Sequence, residues 1–307
     1  MQTVLNDFWG NDPSGYLDSS GEDITKVFLL NLFGKIENVS FSSCQIFSHF
    51  SNSSRITKVL RNVENLRTKV SSDPLGKRLL MHGHTAKKYR LSEKNLNVWY
   101  TSENKRPPLS DQFDLYLSHD LDTYDGRNIY LPFWATRMGA TLEDAISTQR
   151  TFQEAKKIEL RQGICTIISN PEPIRMAYIN QLSKIFPVDV YGSFGKPVTN
   201  KHEILAKYRV AICFENVESP GYVTEKIFDA WHAGCIPVWR GLDSAKTFNP
   251  AAIIDVTKFG FMGSIQRISE IMKSDEMTRE ITQQPLLLNQ YDYKPLIKKI
   301  NEIISQR

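Results

Sequence analysis

Between residues 163 and 241 the chain alternates between two kinds of segment. "GICTIISN", "PVDVYGS", "RVAICFEN" and "CIPVWRG" are short apolar runs of strand length. "PEPIRMAYINQLSKIF", "NKHEILAKY" and "TEKIFDAWHAG" lie between them, with helical spacing and Gly234 at the last stop. Strands and helices alternating at this spacing build a parallel sheet covered by helices. In such a sheet, ligands bind beyond the carboxyl ends of the strands. Two loops lie there, "SNPEPIR" and "ENVESPGYVTEK". Both lead into predicted helix N-termini, whose free N–H groups attract anions.

The first half is less regular. "VLNDFW" and "KVFLLNLFG" are predicted as short buried strands. Residues 35–90 are polar and basic without periodicity, which predicts loops with a short helix. Strands are predicted at "NLNVWY", "QFDLYLSHD" and "RNIYLPFW". A helix is predicted over "TLEDAISTQRTFQEAKKIEL", with Thr141 as its cap. Near the C-terminal end, Leu296, Ile297, Ile300, Ile303 and Ile304 stand at helical spacing and predict an amphipathic helix. A chain of 307 residues is long enough for two domains. The expected division is residues 1–150 and 151–307.

Composition narrows the function classes. Hydrophobic content of 41% and charged content of 23% are those of a globular protein. The net charge of +4 suits an anionic small ligand, and is compatible with a loose peripheral attraction to an anionic membrane. No block of like charges forms a nucleic-acid arm, so no nucleic-acid partner is expected. Cys44, Cys165, Cys213 and Cys235 are far apart, without a CxxC pair, and are expected to be reduced and buried. The first residues lack a basic stretch and a long apolar core, so no signal peptide and a cytoplasmic location are expected. The Asn38 and Asn52 sequons are then chance matches.

Several residues carry candidate chemistry. Arg175 falls in the first turn of its predicted helix, where positive charge opposes the helix dipole unless an anion offsets it. Its planar fork grips phosphate oxygens in pairs. A solvated surface arginine is the ordinary alternative. Thr224 is a good helix cap, and Glu225 and Lys226 follow it. A carboxylate suits the vicinal hydroxyls of a ribose, and an ammonium suits a diphosphate. Asp120 and Asp122 form a D-x-D, too short a pattern to weigh as a metal site. His82 and His84 lack a third ligand.

"FENVESPGYVTEKIFDAWHAGCIPVWRG" resembles the signature of the α1,3/4-fucosyltransferases. "SNPEPIRMAYINQL", "DVYGS", "WYTSENKRPP", "NDFW" and "LFG" resemble further ordered pieces of that family. The resemblance runs from about residue 7 to residue 255. It implies a GT-B architecture, two Rossmann-like α/β domains facing across a cleft. The N-terminal domain would take an oligosaccharide acceptor and the C-terminal one GDP-fucose, with no cofactor required. Carried over by position, Arg175 and Lys226 contact the diphosphate and Glu225 the ribose. Asn216 and Tyr222 line the donor pocket, and Glu103 is the general base of an inverting transfer. Physical chemistry agrees on Glu103: inversion needs a carboxylate to accept the acceptor hydroxyl proton. Another GDP-deoxyhexose donor, or a binding module without catalysis, remains open.

The chain departs from the family pattern in three places. Residues 35–90 are longer than expected, Ser102 stands where glycine is usual, and the heptad repeats and basic tail of some bacterial members are absent.

Overall fold

The computed structural model describes residues 2–6, 22–34, 41–48, 91–108, 113–155 and 160–306. In the first half the strands are β1 (Gln2–Asn6), β2 (Ser43–Ser48), β3 (Asn95–Tyr100), β4 (Leu115–Ser118) and β5 (Asn128–Tyr130). Helix α1 (Ile24–Gly34) follows β1, and a 3-10 turn (Phe133–Arg137) and α2 (Leu142–Thr151) follow β5. The second half alternates β6 (Ile164–Ile168), α3 (Pro173–Leu182), β7 (Val188–Gly192), α4 (Lys201–Leu205), β8 (Val210–Ile212), α5 (Lys226–His232) and β9 (Ile236–Trp239). It closes with β10 (Ile254–Asp255), α6 (Val256–Lys273), α7 (Asp275–Thr282) and α8 (Lys294–Ser305).

These strands make two separate five-stranded sheets. Every pairing within them is parallel, as the α/β GT-B expectation requires. The first runs in sequence order, β1-β2-β3-β4-β5; the second runs β10-β9-β8-β6-β7. Apolar strands fill both cores, as parallel sheets covered on two faces demand. In register, Ile46 sits opposite Val98 and Ile164 opposite Val210, and all four are buried.

Two elements differ from expectation. "KVFLLNLFG" is helical, not a strand. Thr25, Phe28, Leu29 and Phe33 are its buried positions, spaced as one helix face. The Asp23 side chain accepts from the Thr25 and Lys26 N–H groups and starts the helix. Three buried large side chains contribute roughly 1.5–3 kcal/mol each, enough to decide the form of a short apolar run. Strand β2 lies within the segment expected to be loop; Cys44 and Ile46 are fully buried between β1 and β3. The Thr141 cap is present, with Asp144 completing a capping box, and the helix it opens ends at Thr151.

Helix α8 returns to the first sheet. Leu296 and Ile300 are buried, the Tyr293 hydroxyl donates to Ala135 O at 2.7 Å, and Tyr293 meets Phe28 at 5.8 Å. An aromatic seam joins the halves: Phe228 of α5 stacks on Trp134 at 4.8 Å and meets Phe152 at 5.2 Å. The four cysteines are buried and free. Asn38, Asn52, His82 and His84 lie outside the described residues. Among the described residues, no helix is long and apolar enough to cross a membrane.

Candidate active site

The second sheet reverses direction at β6: β7 pairs on one side of it and β8 on the other. A reversal opens a crevice at the carboxyl ends of the two central strands. The loop after β6 carries Asn170 and leads to Arg175; the loop after β8 carries Glu215 and Asn216.

Arg175 is a buried residue, not a solvated one. Its guanidinium donates to Asn170 O at 2.9 Å, Phe214 O at 2.7 Å and Asn216 Oδ1 at 2.9 Å, so it ties both loops together. Its Nε has no hydrogen-bond partner among the described residues. Burial pulls its pKa down, while Glu172 and Glu215 act the other way. The expected free N-terminus of α3 is not there: the Glu172 carboxylate accepts from the N–H groups of Ile174 and Arg175. A carboxylate that already caps the helix leaves anion binding to side chains.

The "SPGYVTEK" turn packs opposite. Thr224 does not cap α5, whose N-cap is Glu225 without a side-chain cap bond. Instead the Thr224 N–H and hydroxyl both donate to the buried Glu215 carboxylate, at 2.8 and 2.7 Å. Lys226 Nζ donates to Thr224 Oγ1 at 2.8 Å and lies 3.3 Å from Glu215 Oε2. Burial opposes the charge on Lys226, but Glu215 and Glu225 outweigh it and its pKa is raised. Glu225 faces Lys201 Nζ at 3.4 Å, and the same ammonium pairs with Asp229. Burial would raise the Glu225 pKa, yet Lys201, Lys226 and Arg137 hold it down at about 2. Glu225, Lys201, Asp229, Phe228, Arg137 and Met138 line a cavity of about 300 Å³ between the halves.

The first half brings the ends of β3, β4 and β5 to the same cleft. Glu103, after β3, is half-buried; its N–H donates to Thr101 Oγ1 at 3.1 Å, and its carbonyl accepts from Lys105 N at 2.7 Å. Burial first, then Glu103, Glu215 and Glu225, push the Tyr222 phenol well above its ordinary range. Carboxylates of both halves thus act on Tyr222. Tyr130 at the end of β5 donates to Gly221 O at 3.3 Å. Gly221 has φ of +77°, and a Cβ there would sit 2.2 Å from His119 O. Only glycine combines that φ with so close an approach.

The description "Glycosyltransferase family 10 (fucosyltransferase) C-term" matches residues 156–281. This part of the chain is similar to the C-terminal domain of that family. The alpha-(1,3)-fucosyltransferase FucT of Helicobacter pylori is 29% identical over 269 residues, covering 76% of this chain and 54% of that protein. The chain thus spans about half the length of that curated relative. The bovine (Bos taurus) 4-galactosyl-N-acetylglucosaminide 3-alpha-L-fucosyltransferase 9 is 39% identical over 83 residues, 25% of this chain and 23% of that protein. A crystal structure of alpha1,3-fucosyltransferase with GDP matches with a TM-score of 0.58 at 20% identity, covering 92% of this chain and 95% of that one. One with GDP-fucose matches with a TM-score of 0.57 at 24% identity, covering 69% and 75%. Both structural matches carry the GT-B fold; the family 10 signature runs through the crevice just described.

Among the predicted residues, Arg175 and Asn216 touch each other, Lys226 pairs with Glu215, the neighbour of Asn216 in the chain, and Tyr222 feels the charge of both Glu103 and Glu215. Glu225 turns toward Lys201. Sequence reasoning passed over Glu215, Lys201 and His119. Glu215 stood in plain view in "FEN", a carboxylate at the end of a buried strand. Asp120 and Asp122 fold back on their own turn: Asp120 binds the Tyr124 hydroxyl and the Asp122 N–H, and Asp122 accepts from Tyr124 N. Among the described residues no cluster of three or more acidic, histidine or cysteine side chains forms a metal site.

Proposed function

We propose that the protein is an inverting glycosyltransferase that moves L-fucose from GDP-fucose to a hydroxyl of an N-acetylglucosamine- or glucose-type acceptor, in α1,3 linkage. One observation carries this reading. At the switch point of one sheet the buried Arg175 and Glu215 gather with the half-buried Lys226, and Glu103 on a strand-end loop of the other sheet acts on the adjoining Tyr222.

In this reading Glu103 accepts the proton of the acceptor hydroxyl as its oxygen attacks the anomeric carbon. The bond from that carbon to the GDP oxygen breaks on the opposite face, and the pair of electrons leaves with GDP. Arg175 and Lys226 offset the charge that builds on the diphosphate. Glu225 accepts from the ribose hydroxyls, and Asn216 and Tyr222 shape the donor pocket. No cofactor is required beyond the donor. Residues 1–150 serve the acceptor and residues 151–307 the donor. The reading places the protein in the cytoplasm, where its mild positive charge allows contact with the cytosolic membrane face.

The test is a glycan array incubated with GDP-fucose and read by mass spectrometry. Addition of one deoxyhexose to lactosamine-type glycans, with release of GDP, is the expected result. Tight GDP binding with no transfer to any glycan would sink the catalytic reading in favour of a binding module.

A further inference from the structure

His119 lies at the end of β4, in the first half, and no motif points to it. It is 4% exposed. The end of β4 lies beside the Glu103 loop, with the Thr101 N–H donating to Leu117 O at 3.1 Å, and the His119 ring stands within hydrogen-bonding reach of the Glu103 backbone. The same ring packs edge-on against Tyr222 of the second half, with centroids 5.2 Å apart. Its main-chain carbonyl is the group against which Gly221 closes. Nδ1 is buried and has no hydrogen-bond partner among the described residues. A polar ring buried at such cost is kept where it fixes neighbours.

We infer that His119 is a positioning residue, which clamps the Glu103 loop and seats it against the Tyr222 turn of the opposite half. The inference rests on the reading of Glu103 as the base. Three contacts point the same way: ring to the Glu103 backbone, ring to the Tyr222 ring, carbonyl to Gly221. Together they place His119 between the loop that carries Glu103 and the turn leading to Glu225 and Lys226. Burial lowers its pKa, against the raising influence of Asp120 and the Glu103 backbone.

The experiment compares His119→Phe, which keeps a ring against Tyr222 but loses the polar bond, with His119→Gln, which retains an N–H. In His119→Phe, kcat falls by on the order of 10²-fold, the cost of a misplaced catalytic group. GDP affinity stays within about twofold, and His119→Gln recovers a large part of kcat. Hydrogen exchange over residues 101–106 reads the same clamp without reference to turnover: it quickens in His119→Phe and returns toward the parent rate in His119→Gln. Unchanged exchange over that loop, or kcat within about twofold of the parent, overturns the inference. If the parent transfers no sugar but exchange quickens, the clamp stands and the proposed function falls.

Discussion

The two sheets solve different problems with the same strand type. The first keeps strict sequence order, so no reversal opens a crevice in it. What it offers the cleft are the loops at its strand ends: Glu103, His119, Tyr130. The second reverses at β6, and around that point its charges interlock. Arg175 binds both crevice loops, Glu215 holds Thr224 and Lys226, and Lys201 holds Glu225 and Asp229. A charge lattice of this kind is stiff, because removing one member leaves a buried partner uncompensated. Glu103 stands half-buried on a loop outside that lattice, so its substitution should disturb the fold less. Binding and stability should therefore be inseparable in the second half and separable from chemistry in the first.

Glu103→Ala is the sharpest way to break that contrast. Turnover should fall by on the order of 10²- to 10⁴-fold, as for loss of a general base. The denaturation midpoint and GDP affinity, read by urea titration and calorimetry, should hardly change. Normal turnover in this variant would remove Glu103 from the mechanism. Arg175→Met is the counterpart. It leaves Phe214 O, Asn170 O and Asn216 without their donor, so a stability loss of about 3 kcal/mol is expected together with weakened GDP binding. A stable Arg175→Met that merely binds GDP less well would make Arg175 a surface contact.

The same contrast explains what could be read from the sequence. The alternation from β6 to β9 was legible because the strands are short apolar runs and the last helix carries its own stop, Gly234 with φ of +91°. Helix α1 was not, since an apolar run as short as "KVFLLNLFG" fits a buried strand or a buried helix equally. Strand β2, "SCQIFS", hid its alternation behind polar neighbours. At the site, Arg175 and Lys226 were found through motif position. Glu215 was missed because its partners Thr224 and Lys226 are reached across a turn, which no local spacing rule describes. Lys201 and His119 arrive from other elements altogether. Thr224 was misassigned as a cap because local rules favour a Thr before a helix; Glu215, a distant carboxylate, claims its hydroxyl instead.

Glu225 offers a pH test of the interlocked half. Its pKa lies near 2 in the folded chain, against an ordinary 4.5. A carboxylate depressed by folding stabilises above its ordinary pKa, and that contribution is lost as pH falls from about 4.5 toward 2. Glu225→Gln should be less stable than the parent near neutral pH and should lose part of the acid-side decline in Tm. Parallel Tm curves between those limits would show that Lys201 and Lys226 do not hold the carboxylate. Thr224→Val removes only two bonds, one to Glu215 and one to Lys226. A loss of about 1–2 kcal/mol is expected, with Thr224→Ser near the parent. A Thr224→Val variant as stable as the parent would mean that Glu215 finds another donor.

The smallest effect is expected where sequence and structure agree that little happens. Asp122 is exposed in the turn after β4, its carboxylate accepting, among the described residues, from the nearby Tyr124 N–H. Exposed substitutions away from caps and networks usually stay within about 0.5 kcal/mol, which corresponds to about a twofold change in rate. Asp122→Asn keeps an acceptor oxygen for that bond, so turnover should remain within about twofold of the parent. The comparison with Glu103→Ala is direct, because both carboxylates stand on strand-end loops of the first sheet. If Asp122→Asn reduced turnover as deeply as Glu103→Ala, the D-x-D would have to share in the chemistry, and the first half would no longer be a scaffold for one catalytic carboxylate.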